Sequence, residues 1–317
     1  MRKSLLWIFA AGLYGVCAAA YSPIIDGALA DVRIRVVDDM GEAVPDATIS
    51  VTFYTAPEKV DVKRGKTDAE GCFSAKGRCV GEAHAWIRKD GYYETKADPK
   101  FRTLSNKEAE QQRKWSNGTV DTVVVLKKKR NPVDLAFKFW EYRKFPATNE
   151  VLKLDLEMLD WCPPYGKGRH DDLHMVFDGW RNPKDWYDFH EHLSISFPNC
   201  VDGFYRRTAD MTSGFRYDYV ASTNEVYKNK LDFRFARVMN GVTNRVCLAK
   251  DEYLVYRVRT QTNELGQVTH AHYGRIGEGI SQQIGLSMRS WFNKKDNDTN
   301  LENARAWQLG LMLDLSK

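Results

Sequence analysis

The sequence predicts an all-β protein built in two parts, and three observations lead there. Apolar and polar residues alternate with period two in many short stretches. Clusters of Gly, Pro, Asn and Asp punctuate those stretches at the spacing of strands and turns. Beyond residue 20 no run of about 18 uncharged apolar residues exists, so the rest of the chain holds no helical membrane span. A length of 317 residues corresponds to about two domains.

The N-terminus predicts export. Arg2 and Lys3 precede an apolar run at 5–16, too short to cross a bilayer, which ends in Ala18, Ala19 and Ala20. This pattern is a signal peptide over residues 1–20, and it places the mature chain in the periplasm or outside the cell. Val16 stands where a lipoprotein signal needs a small residue, so Cys17 is not expected to carry a lipid. Removing Arg2 and Lys3 lowers the net charge from +5 to +3. Basic residues are interspersed with acids, and the dense run KKKR at 127–130 ends a predicted strand instead of forming a basic face. A nucleic-acid partner is therefore not expected.

A first domain is expected over residues 31–130. Val32, Ile34 and Val36 alternate with Arg33 and Arg35. Gly41, Pro45 and Asp46 then supply turn chemistry, and Ile49, Val51 and Phe53 resume the alternation, which reads as a hairpin. TDAEG at 67–71 is a turn, HAWIRKDGYYETK at 84–96 is strand, turn and strand, and TVDTVVVLKKK at 119–129 closes the unit. The polar stretch at 100–119 falls outside this spacing and could hold a short exposed helix.

The succession VRIRVVDDMGEAVPDATISV, TDAEGCF and KDGY resembles the carboxypeptidase regulatory-like, or transthyretin-like, β-sandwich. That resemblance covers about a third of the chain and implies a seven-stranded Greek-key sandwich acting as a non-catalytic attached module. It brings no function with it.

Five cysteines remain in the mature chain. Cys72 and Cys79 flank a turn expected at residues 75–77, which would set them opposite each other as a disulfide in an oxidising compartment. The pairing of Cys162, Cys200 and Cys247 stays open, and their spacing matches no zinc-ribbon pattern.

Residues 131–150, bounded by Pro132 and Pro146, read as a connector, and residues 151–317 as a larger β-sandwich or jelly roll. Alternation recurs at 152–158, 173–177, 187–197 and 231–235, a hairpin turns at 263–266, and AWQLGLMLDL at 306–315 is the expected last strand. The strings LKKKRNP, DWCPPYGKG and AHYGRI resemble stretches in a group of uncharacterised exported bacterial proteins with a similar N-terminal module.

The chemistry-bearing residues are sparse. His190 and His192, and likewise His270 and His272, lie two apart and would each share one strand face, as a transition-metal site would need. Nothing in the sequence unites the pairs, so no metal and no cofactor is expected, and Glu191 should point inward. Asp155 with Glu157, and Asp172 with His174, are expected on common polar faces. No G-x-S-x-G elbow is present, and Cys162 beside Pro163 has no neighbouring base. Trp161, Trp180 and Trp186, interleaved with polar residues, could offer flat faces to sugar rings. The expectation is a non-enzymatic binding or envelope-structural protein whose partner is carbohydrate or another envelope protein. The alternative is a polysaccharide-binding or polysaccharide-degrading protein acting through the second part.

Overall fold

The computed structural model describes residues 21–55, 59–185, 188–237, 243–277 and 286–303. The signal peptide expected over residues 1–20 and the strand expected at 306–315 lie outside the described residues, as do Trp186 and Tyr187.

The first part holds seven strands in two layers. β1 (Ala28–Val37), β4 (Cys72–Cys79) and β7 (Val120–Val125) form one sheet in the order β4-β1-β7, with β1 and β7 parallel. β2 (Thr48–Thr55), β3 (Lys59–Lys66), β5 (Ala83–Arg88) and β6 (Thr95–Ala97) form the other, in the order β3-β2-β5-β6. The alternation works as expected: Val32, Ile34 and Val36 of β1 and Ile49, Val51 and Phe53 of β2 are buried in one apolar core.

Two expectations need correction here. β1 and β2 are not a hairpin. They belong to different sheets, and the residues between them arch from one layer to the other. Alternation reports which face of a strand is buried, not which neighbour it bonds. The turn expected at residues 75–77 does not exist either, because Cys72 and Cys79 are the two ends of one continuous strand. Seven residues of strand span roughly 23 Å, far beyond the reach of a disulfide, and both thiols are free. The misleading residue is Gly77. A Cβ there would sit 2.3 Å from the Phe53 ring, so the glycine makes room for an aromatic side chain and not for a bend.

The polar stretch carries α1 (Asn106–Gln112), opened by a capping box in which Ser105 and Glu108 satisfy each other's backbone N–H groups. Ala109 and Trp115 turn inward and join the core. The indole N–H of Trp115 donates to the Cys79 carbonyl at 2.8 Å, and the Arg102 guanidinium lies 4.7 Å from its ring centroid. The stretch therefore closes one end of the sandwich.

The second part begins earlier than expected. Residues 131–150 are no mere connector, because they contribute β8 (Ala136–Arg143). The remaining strands are β9 (Leu152–Asp155), β10 (Asp160–Trp161), β11 (Leu173–Arg181), β12 (Phe189–Ser196), β13 (Gly203–Thr208), β14 (Lys230–Arg237), β15 (Thr243–Val246), β16 (Glu252–Thr262), β17 (Val268–Ile276) and β18 (Leu286–Phe292). They build a six-stranded sheet, β10-β9-β11-β12-β14-β15, and a five-stranded sheet, β13-β16-β17-β18-β8; neither closes into a barrel. Leu154, Met175, Leu193 and Phe233 of the first meet Leu254, Tyr256, Ile276 and Met288 of the second in the main core. The whole is an all-β sandwich fold.

The two parts touch through buried polar groups. Glu302, about 1% exposed, accepts hydrogen bonds from the Tyr93 hydroxyl at 2.9 Å and the Arg130 and Asn131 N–H groups at 2.8 and 2.6 Å. Phe215 stacks on Tyr93 with centroids 4.8 Å apart, and the Gly214 N–H donates to Thr95 Oγ1 at 3.0 Å. Glu302→Gln replaces one acceptor by an amide that faces donors. Urea unfolding of the full chain should show a loss of about 1 to 3 kcal/mol, and an unchanged midpoint would mean the junction does not contribute to stability.

Candidate functional site

Where the ends of β1 and β7 meet the 209–221 segment of the second part, an open cleft of about 490 Å³ is lined by Asp38, Asp39, Lys127, Arg130, Asp210 and Tyr219. Asp38 follows β1 directly and organises the turn. Its carboxylate accepts the N–H groups of Met40 and Glu42 at 2.9 and 3.0 Å and pairs with Lys128 at 3.0 Å. Burial alone would raise its pKa, but Lys128 and the two N–H donors outweigh that and hold the group below its usual range.

The KKKR run that follows β7 is distributed among partners on both sides of the cleft. Lys127 lies 3.7 Å from Asp210 and donates to the Tyr217 carbonyl at 3.3 Å. Lys128 turns to Asp38, Lys129 sits over the Tyr93 ring, and Arg130 pairs with Asp39 while stacking 4.0 Å from the Tyr219 centroid. The Tyr219 hydroxyl donates to the Lys128 carbonyl at 2.7 Å, and burial first of all pushes its pKa upward, so it remains a donor. The cleft thus offers aromatic walls and ion pairs that already satisfy one another.

Behind Tyr217 lies Arg275, fully buried, with its guanidinium 4.1 Å from the Tyr217 centroid and 4.5 Å from that of Trp291. Nη1 donates to the Leu301 carbonyl. Burial lowers its pKa to about 10, so it stays charged at neutral pH and its cation–π contacts replace part of the lost hydration. Arg275 pins the back of the 209–221 segment to β17.

The histidine pairs fall in different sheets, His190 and His192 on β12 and His270 and His272 on β17. The rings do not converge. His192 meets Asp232 at 3.1 Å, His270 meets Asp296 at 2.6 Å, and His272 contacts the Asn293 carbonyl at 3.2 Å while stacking on Phe292. Among the described residues no group of three or more His, Cys, Asp or Glu side chains is placed to hold a metal. Glu191 points inward, paired with Arg181 at 3.2 Å.

The carboxylates differ from the expectation in an instructive way. Asp155 is fully buried at the end of β9, and Glu157 lies beyond it on a turn, so the two do not share a strand face. Asp172 too is buried, while His174 is half-buried. Asp155, Glu157 and Asp172 instead converge on Arg259 of β16. Nε and Nη2 of Arg259 reach Asp172 at 2.9 and 3.0 Å, Nη1 reaches Glu157 at 3.0 Å, and Nη2 lies 3.5 Å from Asp155. Arg259 adopts φ 57° at an irregularity in β16, where Asp202 accepts the N–H groups of Arg259 and Thr260, both at 3.0 Å. The cluster clamps the two sheets together.

Trp161 belongs to the core, tilted against Trp140 with centroids 5.0 Å apart, whereas Trp180 is 55% exposed on β11. They form no common platform. Burial, reinforced by Asp171, Asp155 and Asp172, pushes the Cys162 thiol up to about 11 and makes it a poor nucleophile. Cys200 is exposed and Cys247 half-buried, both as free thiols.

No family model matches this chain. No curated protein matches it either. Among solved structures, 3-chlorocatechol 1,2-dioxygenase from Rhodococcus opacus is 14% identical over 33% of this chain and 62% of its own, with a TM-score of 0.25. Catechol 1,2-dioxygenase from Acinetobacter radioresistens is 12% identical over 33% of this chain and 53% of its own, also at 0.25. A streptococcal ancillary pilin is 8% identical over 70% of this chain and 60% of its own, at 0.20. The chain spans between about half and two thirds of these proteins. Likeness of this size carries no activity or ligand to this chain.

The cleft and the Arg259 clamp were not expected from the sequence. The doubled aspartate at 38–39 and the KKKR run were its only signals, and they lie 80 or more residues before Asp210 makes sense of Lys127.

Proposed function

We propose that the protein is an exported, non-enzymatic binding protein, in which a carboxypeptidase regulatory-like module docks on a larger β-sandwich and a polar ligand lies in the cleft between them. The observation that supports this reading is the cross-pairing of the cleft's carboxylates, Asp38 with Lys128, Asp39 with Arg130 and Asp210 with Lys127. A general acid or base must exchange its proton near the working pH, and Asp38 is held away from that range. Clefts at domain junctions with aromatic walls are common ligand sites.

The test is to incubate the full chain with neutral and acidic polysaccharides and with peptide substrates, and to record new reducing ends and free amines. No turnover is expected. Solubilised envelope fractions should raise its melting temperature, and Tyr219→Ala should abolish that rise. Turnover that disappears in Asp38→Asn or Asp210→Asn would overturn the reading and put a degradative enzyme first.

A further inference from the structure

The outer face of the six-stranded sheet is a second, separate surface. β11, β12 and β14 pair without a break in register from Arg181, Phe189 and Arg237 at one end to His174, Ser196 and Lys230 at the other. Side chains two apart on a strand share a face, and directly paired residues stand side by side. The outward rows are therefore Trp180 beside His190 and Ala236, then Asp178 beside His192 and Arg234, then Val176 beside Ser194 and Asp232. Trp180, Asp178, His190 and Arg234 are exposed, whereas Phe189, Glu191, Leu193 and Ile195 on the opposite face of β12 are buried.

We propose that this face binds a neutral polysaccharide chain, with Trp180 stacking on one sugar ring and the Asp178, His192 and Arg234 row hydrogen-bonding the hydroxyls of the next. An exposed indole at the end of a polar, three-strand surface supplies both contacts a sugar needs, an apolar plate for its C–H face and acceptors and donors for its rim. Rows lie about 7 Å apart and strands about 4.8 Å apart, so plate and polar row fall within one short oligosaccharide. His192 is held by Asp232 at 3.1 Å, which fixes its orientation before any ligand arrives. The pairing of β12 with both neighbours and its buried inner face keep the surface rigid, so little conformational entropy is lost on binding.

Charge selects the class of ligand. Asp178 and Asp232 offset Arg234 and Lys230, so the face is close to neutral and offers a polyanion no electrostatic pull. The exposed large apolar residues of the face are Trp180 and, beside Arg234 on β15, Val246, far from the several hundred Å² of contiguous apolar surface that marks a protein docking patch.

The experiment is native gel retardation of the full chain in gels containing hydroxyethylcellulose, xyloglucan, galactomannan or soluble starch, with polygalacturonate and heparin as polyanion controls. At least one neutral polysaccharide should retard the protein, and Trp180→Ala should weaken that binding about tenfold, the size of one aromatic stacking contact. Trp180→Tyr should keep most of it, and the cleft variant Tyr219→Ala should bind as the unaltered chain does. A matching urea midpoint shows that Trp180→Ala remains folded. The proposal fails if none of the neutral polysaccharides retards the chain, if Trp180→Ala is retarded equally, or if only the polyanions act.

Discussion

Arg259→Ala should lower the stability of the second part by about 3 to 5 kcal/mol, because removing one partner of a buried ion cluster leaves the other charges uncompensated. Asp155 and Asp172 are almost fully buried, and Arg259 reaches both of them together with Glu157 from the opposite sheet. Arg259→Lys should recover little of the loss, since a point charge cannot serve Asp172 with two nitrogens and Glu157 with a third. The measurement is the urea midpoint of the full chain, and a midpoint within error of the unaltered protein would refute the clamp. The pH dependence has a definite sign. Burial raises the Asp155 pKa, but N–H groups from Met158, Arg169 and His170 and the Arg259 charge outweigh it and hold the folded value below the usual one. A depressed folded pKa contributes stability that is complete above the unfolded value, about 4, and is lost as pH falls through the folded value. In Arg259→Ala that acid loss should begin at a higher pH.

Trp115→Ala should cost the first part about 3 to 5 kcal/mol. The indole has no exposed surface, packs into the sandwich core, and satisfies the Cys79 carbonyl. Its removal opens a cavity under the 100–119 stretch and strips the Arg102 guanidinium of its stacking partner. Trp115→Phe retains most of the packing and loses the hydrogen bond, so it should cost about 1 to 2 kcal/mol. Near-UV circular dichroism during urea unfolding reports both, and a small effect of Trp115→Ala would show that the stretch lies outside the core.

The all-β fold class was legible because side-chain alternation is a local property. Val32, Ile34 and Val36 show their buried face whatever sheet they join, and Glu191 between His190 and His192 shows its inward direction in the same way. Partners were not legible, because they depend on residues far away in the chain. Asp155 meets Arg259 over 104 residues, Tyr93 meets Glu302 over 209, and neither end carries a mark of the other. Gly77 misled because glycine serves turns and tight packing alike, and only the position of Phe53 separates the two uses. The prolines at 132 and 146 misled similarly, since they bracket an edge strand whose partner, β18, lies well over a hundred residues later.

That last pairing sets an order on assembly. Phe137 stands opposite Trp291 and Phe139 opposite Arg289, so a sheet whose first strand emerges soon after the first part waits for nearly the whole chain to complete it. Non-local pairings of this kind form slowly and leave apolar strand faces uncovered meanwhile. A chain threaded N-terminus first would therefore fold its first part while the second remains open. Products truncated before residue 286 would carry β8 with its partner strand missing, an unpaired edge for holding chaperones to bind and proteases to cut.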